Sequence, residues 1–333
     1  MDKYKILIVD DEPDNLALLY RTLRGKYEIA KSTSPVLALQ MMKAEHFHCI
    51  LSDHKMPEMD GVEFLKRSYD ISPDTMRILV TAYTDAGILI DAINYAKIYR
   101  YIKKPYNPDE LLLVTQGALE YWQLKSDNNM LVNDLKELFS GTITAIVEAL
   151  DSKDSYTLGR SRRVTFYAVK IAKALHLSET TTGKIELAGL LHDIGMIGVS
   201  DDILAKVDRL SQDEYNEIKQ HVTHSVRILD DIKQLKDVVE IIKYHHEYFD
   251  GNGYPYGLKG EEIPVGSRII AVADAFDSLV TPKIYRNQVL PSVALAEIKN
   301  HSGSQFDPAI VDVFEQILPE ALHEIKELER PSM

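Results

Sequence analysis

Two groups of residues in this 333-residue chain carry side chains suited to phosphate chemistry. The first is acidic. Asp10 and Asp11 close the run KILIVDD, Asp53 closes HCILSD, Thr81 closes MRILVT, and Lys104 precedes a proline in RYIKKP. If these runs are neighbouring strands, three carboxylates, a hydroxyl and an ammonium meet in one crevice. Such carboxylates repel one another unless a cation joins them. Mg²⁺ suits the place, because it takes one or two carboxylates and completes its shell with waters and phosphate oxygens. A phosphoryl group on Asp53 would finish that shell, with Lys104 and Thr81 on its remaining oxygens. Taken singly, each aspartate reads as a helix N-cap. Five suitable residues at the right strand ends do not.

The second group mixes imidazole and carboxylate. It comprises His192 and Asp193 in LLHDIG, His221, the adjacent His245 and His246, and Asp274, with Asp277 a further candidate three residues on. This donor set suits Mn, Fe, Ni or Zn. Asp193, with two oxygens, is the natural bridge between two ions. A water held by both would be hydroxide near neutral pH, and the ions would neutralise charge on phosphate oxygens. Taken singly, His221 or His224 is a surface helix histidine. His245–His246 alone is a helix terminus where the dipole favours a cation.

Elements must bring these groups together. In residues 1–122 the apolar runs KILIVDD, YEIAKS, HCILSD, MRILVT and RYIKKP read as strands. Between them DNLALLYRTLRG, SPVLALQMMKAEH, GVEFLKRSYD and DAGILIDAINYAK show helical spacing. Five alternating β and α units predict a flavodoxin-like α/β domain with a five-stranded parallel sheet covered on both faces. Its ligand site lies at the carboxyl ends of the strands. A linker helix follows over 123–140. Tyr121, Leu124, Asn128, Leu131, Leu135 and Leu138 alternate spacings of three and four, which predicts a coiled-coil seam and a homodimer, with Asn128 setting register. Residues 141–333 form the second domain. RRVTFYAVKIAKALHL, TGKIELAGLLHDIG, DVVEIIKYHHEYFDG and SRIIAVADAFDSLV are all helical patterns, so this domain is expected to be all-α. A helical bundle can aim ligands from several helices inward.

The motifs resemble two known families. ILIVDDEPDN, LSDHKMPEMDG, LVTAY and YIKKPY are similar to a response-regulator receiver domain. That resemblance implies Asp53 as phosphoacceptor, Asp10 and Asp11 as the acidic pair, and Mg²⁺ contacts that include the Lys55 carbonyl. It places Thr81, Tyr101 and Lys104 as the switch residues, and implies a sensor histidine kinase as partner. LLHDIG, HHEYFDGNGYPYGLKG, IIAVADAFDSL and the FDP at 306–308 resemble an HD-GYP domain from about 140 to 315. This resemblance implies a metal site built from His192, Asp193, His221, His245, His246 and Asp274. It implies hydrolysis of cyclic di-GMP, or a related cyclic dinucleotide, to linear pGpG or onward to GMP. Gly253, Tyr254, Pro255, Lys283 and Arg286 are the implied substrate-binding residues.

Two departures from that pattern bear on the chemistry. Arg160, in GRSRRV, stands where the family has a histidine, and a guanidinium cannot lose a proton to ligate a metal. Met196, after HDIG, stands where the family has a lysine. One reading links them, with the Arg160 guanidinium entering the vacated metal position and supplying the charge that Met196 lacks. The competing expectation is a domain with little catalysis, acting as a phosphorylation-gated cyclic-dinucleotide sensor or docking module, with a diguanylate cyclase as its partner. In TPKIYR, moreover, Lys283 replaces an arginine and can hold phosphate only as a point charge.

Composition narrows the classes. A net charge of −13 argues against a partner with an extended phosphate backbone, so no nucleic acid is expected. The one cysteine, Cys49, cannot form a disulfide within the chain. MDKYKILIVDDEP lacks the apolar core of a signal peptide and no apolar run approaches a membrane span, so the expected location is the cytoplasm.

Overall fold

The computed structural model describes residues 4–82, 90, 92–153, 159–206, 208–281 and 289–328. Contacts divide the chain into two units, Met1–Lys136 and Glu137–Met333.

The first unit is built on strands β1 (Lys5–Val9), β2 (Glu28–Ser32), β3 (Cys49–Asp53), β4 (Met76–Thr81) and β5 (Arg100–Lys103), all parallel, in the order β2-β1-β3-β4-β5. The period of two sorts the strand residues between two cores. Ile6, Ile8, Leu51, Ile78 and Val80 enter one, while Leu7, Val9, Ile50 and Leu79 enter the other. Burial on both faces explains why these runs read as continuously apolar. Helices α1 (Pro13–Leu23), α2 (Pro35–Ala44) and α3 (Gly61–Ile71) connect the strands. Each start has a local cause. Pro13 and Pro35 fix φ in the first turn, and the Asp60 side chain accepts from the Glu63 N–H at 2.9 Å. Of the helix expected over DAGILIDAINYAK, residues 85–89 and 91 lie outside the described residues, and 90 and 92–94 are helical. The strand order reverses between β1 and β3, so the crevice at their carboxyl ends is the ligand position of such sheets.

Helix α4 runs without interruption over Pro108–Lys153 and so includes the residues expected to link the two domains. Among its described residues the second unit carries the α-helices α5 (Arg160–Ala174), α6 (Glu179–Leu191), the short α7 (Asp201–Leu204), α8 (Gln212–Lys219), α9 (His221–Leu229), α10 (Lys236–Lys243), α11 (Val265–Val280), α12 (Pro291–Asn300) and α13 (Pro308–Leu328), and no strand. One apolar core joins α5, α6 and α9–α13. Val164, Tyr167, Ala168 and Ile171 of α5 recur at helical spacing and face it. Tyr167, Phe276 and Phe314 meet there edge to face, with centroids 5.0–6.1 Å apart. Among the described residues no helix is long and apolar enough to cross a membrane.

Candidate functional sites

In the first unit the strand ends converge as the sequence suggests. A cavity of about 330 Å³ is lined by Asp10, Asp11, Asp53, Lys55, Thr81 and Lys104, together with Asn15. Lys104 Nζ lies 3.0 Å from Asp10 Oδ2 and 2.5 Å from Asp53 Oδ1. The second Asp53 oxygen accepts from the Lys55 N–H at 2.9 Å. Asp10 Oδ1 accepts from the Glu12 N–H and from Asn15 Nδ2. Burial works to lower the Lys104 pKa, but Asp53 and Asp10 outweigh it and the pKa is raised, so the ammonium stays charged. Thr81 is buried at the end of β4, and Tyr101 is exposed on β5. The carboxylate pair, a fixed cation and a backbone amide on Asp53 fit a hard divalent ion and a phosphoryl group.

The second site is assembled from helix ends. His192 follows α6 and Asp193 is next to it; His221 opens α9; His245 and His246 follow α10; Asp274 lies on α11. Two trios result. His221, His245 and His246 present ligand atoms within 4.8 Å of one another, and so do His192, Asp193 and Asp274. Asp193 reaches both trios, with Oδ2 3.1 Å from His192 Nε2 and Oδ1 3.5 Å from His221 Nε2. The imidazoles are oriented from behind. Nδ1 of His192, His221 and His245 donates to the carbonyls of Gly189, Ile218 and Ile242 at 2.6–2.7 Å. Their Nε2 atoms are buried, and those of His221 and His245 have no hydrogen-bond partner among the described residues. Buried polar atoms left open in this way call for a ligand, and rings fixed through Nδ1 are the usual arrangement behind a metal. The donors therefore fit a transition ion.

Charge is distributed unevenly. Burial, reinforced by His192 and His221, pushes the His245 pKa down to about 3. Burial with His245 and His221 also holds His246 well below its ordinary range. Both rings are neutral and free to ligate. Burial works against a charge on His192 too, but Asp193 and Asp274 raise its pKa to about 10. Burial would raise the Asp193 pKa, yet His192, Arg160 and His221 hold it well below the carboxylate range.

Arg160 stands inside this second site. Its Nη2 is 2.6 Å from Asp274 Oδ1 and its Nε is 3.5 Å from Asp193 Oδ2. Asp277 is not part of either trio, because Arg163 takes both of its oxygens at 2.7 and 3.1 Å. Arg160, Met196, Tyr254 and the metal-type residues Asp193, His221, His245, His246 and Asp274 line a cavity of about 1100 Å³. Tyr254 lies flat against His246, with centroids 4.9 Å apart and planes at 22°. Gly253 and Pro255 are not among the lining residues. A Cβ on Gly253 would fall 2.1 Å from the Tyr248 nitrogen, so only glycine lets the loop close on the histidine pair. Lys283 and Arg286 lie outside the described residues.

Two supporting residues escaped the sequence reading. Glu247 is buried beside the histidine pair and accepts from the N–H groups of Tyr256, Gly257 and Leu258 at 2.7–3.1 Å, holding the loop around Tyr254. An ionisable side chain next to a glycine-rich loop was the available signal. Ser225 accepts from the Gly195 N–H at 2.8 Å and donates to the His192 carbonyl at 3.2 Å. It ties the His192–Gly195 turn to α9, and nothing in the sequence marks it.

Comparison with known proteins agrees with this division. A response regulator receiver domain model matches residues 6–116, and an HD domain model matches residues 145–310. The cyclic di-GMP phosphodiesterase response regulator RpfG of Xanthomonas campestris pv. campestris is 31% identical over 325 residues, covering 92% of this chain and 86% of that protein. A cyclic di-GMP phosphodiesterase of Thermotoga maritima is 31% identical over 331 residues, covering 93% and 89%. A 3'3'-cGAMP-specific phosphodiesterase of Vibrio cholerae is 37% identical over 166 residues, covering half of this chain and 36% of that protein.

Proposed function

The chain belongs to the response regulators that join a receiver domain to an HD-GYP output domain, and on that premise we propose that it is a metal-dependent cyclic di-GMP phosphodiesterase controlled by phosphorylation of Asp53. The observation that carries the reading is the set of buried Nε2 atoms on His192, His221 and His245 gathered around Asp193. Fe, Mn, Ni or Zn fits these donors. His221, His245 and His246 would hold one ion. The family pattern implies a second on His192, Asp193 and Asp274, where Arg160 already contacts both carboxylates. A bound divalent ion would lower the pKa of its water and neutralise charge on phosphate oxygens.

The remaining work belongs to the chain. Asp193 and Asp274 place negative charge where the ion is needed. Tyr254 packs on His246 and gives a flat apolar wall, against which a base can stack. The cavity has room for a dinucleotide-sized ligand. In the receiver, Asp53 accepts the phosphoryl group from a sensor histidine kinase, Asp10 and Asp11 hold Mg²⁺, and Lys104 and Thr81 bind phosphoryl oxygens. The apolar seam on α4, with Tyr121, Leu124, Leu131, Leu135 and Leu138 all exposed, supports a homodimer. A diguanylate cyclase, which makes what this site would destroy, is the protein partner to test.

The deciding experiment incubates full-length protein, reconstituted with Mn²⁺ or Fe²⁺, with cyclic di-GMP and resolves the products by chromatography. Formation of pGpG or GMP that a chelator abolishes is the expected result. Tight nucleotide binding with no product would overturn the enzyme and leave a phosphorylation-gated receptor.

A further inference from the structure

The two trios around Asp193 differ in one respect. On the side of His221, His245 and His246, the Nε2 atoms of His221 and His245 are buried without a hydrogen-bond partner among the described residues. On the side of His192, Asp193 and Asp274 a cation of the chain itself is already in place. Arg160 Nη2 contacts Asp274 Oδ1, and Nε faces Asp193 Oδ2. These are the same oxygens that approach His192 Nε2, at 3.5 and 3.1 Å. An ion seated on that trio would need the oxygens that the guanidinium holds. It would also meet the repulsion of a permanent positive charge at close range.

Arg160 is held there by design of the surroundings rather than by its own helix. The first turn of α5 carries Arg160, Arg162 and Arg163 and no acid, an arrangement the helix dipole disfavours. Each arginine is answered by a carboxylate from another segment: Asp274, Glu148 and Asp277 respectively. The Arg160 side chain is only 17% exposed, so its charge is committed to the site.

We infer that Arg160 is a resident cation at one of the two cation positions beside Asp193, and that the output site takes a single transition ion, on His221, His245 and His246. The inference rests on the reading of this site as a metal-dependent hydrolase and fixes how that site is charged. Arg160 lines the cavity, so its guanidinium faces the space where a phosphodiester would bind and supplies positive charge without a second metal.

Metal stoichiometry tests this without recourse to activity. Full-length protein is stripped with chelator and loaded anaerobically with Co²⁺ in excess Mg²⁺, which keeps the receiver's oxygen site from taking cobalt. After desalting, cobalt is counted by mass spectrometry and its ligand-field absorption recorded. Wild type should hold about one cobalt per chain, Arg160→His about two, and the His245→Ala/His246→Ala double variant close to none. Circular dichroism establishes that each variant is folded. If Arg160→His does not fold, the double-histidine variant decides, because a cobalt retained there would sit on His192, Asp193 and Asp274 and overturn the inference. Two ions in wild type, or no gain in a folded Arg160→His, overturn it and leave the hydrolase reading standing. No cobalt in either protein removes the metal-dependent reading and the inference together.

Discussion

Glu247 is a buried carboxylate whose task is to hold main chain. Replacing it with alanine leaves the N–H groups of Tyr256, Gly257 and Leu258 without their acceptor. A buried donor left open costs about 1–3 kcal/mol, so Glu247→Ala should lower stability by at least that amount in chemical unfolding, and nucleotide affinity should fall with the loosened Tyr254. Cys49 offers a second residue-scale test. Burial pushes its thiol up to about 12. An unfolded thiol ionises near pH 8.5, so the stability contributed by keeping the thiol neutral is intact below about pH 8.5 and is lost as pH rises toward 12. At pH 8 a thiol reagent should leave Cys49 unmodified in folded protein and label it fully in denaturant. The chemistry-bearing residues were legible because they sit at strand or helix ends, where polar types interrupt apolar runs. Glu247 and Ser225 were not, because their partners are backbone atoms far along the chain. Asp277 looked like a ligand only because the sequence does not show that Arg163 lies opposite it.

Helices and turns set the next constraint. Gly195 lies where the His192 turn crosses α9, and a Cβ there would fall 1.9 Å from the His221 carbonyl oxygen and 2.5 Å from the Ser225 nitrogen. Backbone cannot yield by that much, so Gly195→Ala should separate His192 from His221, lowering bound metal at least tenfold and stability by about 3 kcal/mol or more. Metal analysis and thermal unfolding read the two effects separately. Along α4 the seam residues are exposed, and Leu131→Asp/Leu135→Asp should convert a dimer to a monomer in analytical ultracentrifugation, while Asn128→Leu should tighten association and relax its register. Strand identities and the helical character of the second unit were readable from periodicity. The continuity of α4 was less so, because one helix there serves a domain core, an exposed seam and a second core in turn.

At the scale of the whole molecule the chain carries separate apolar cores in its two units. Each ligand should then stabilise chiefly the unit that binds it. Calorimetry should show that a transition ion raises mainly the transition of the helical unit, by about 2.7 kcal/mol at one hundred times its Kd, and that a phosphoryl mimic with Mg²⁺ raises mainly the receiver transition. A single transition that shifts with either ligand would contradict this. The boundary at Lys136 and Glu137 was not visible in the sequence, since it falls inside an unbroken helix with no change of composition.

The imidazoles of His192, His221 and His245 are each braced by a carbonyl three residues earlier in the chain. That brace is made of peptide groups, which every amino acid but proline supplies in full and which no exchange of a neighbouring side chain can delete. The tautomer of these rings is consequently insulated from mutation around them. A neighbouring side chain that leaves the backbone in place, such as Met196, can differ without resetting which ring nitrogen faces the site.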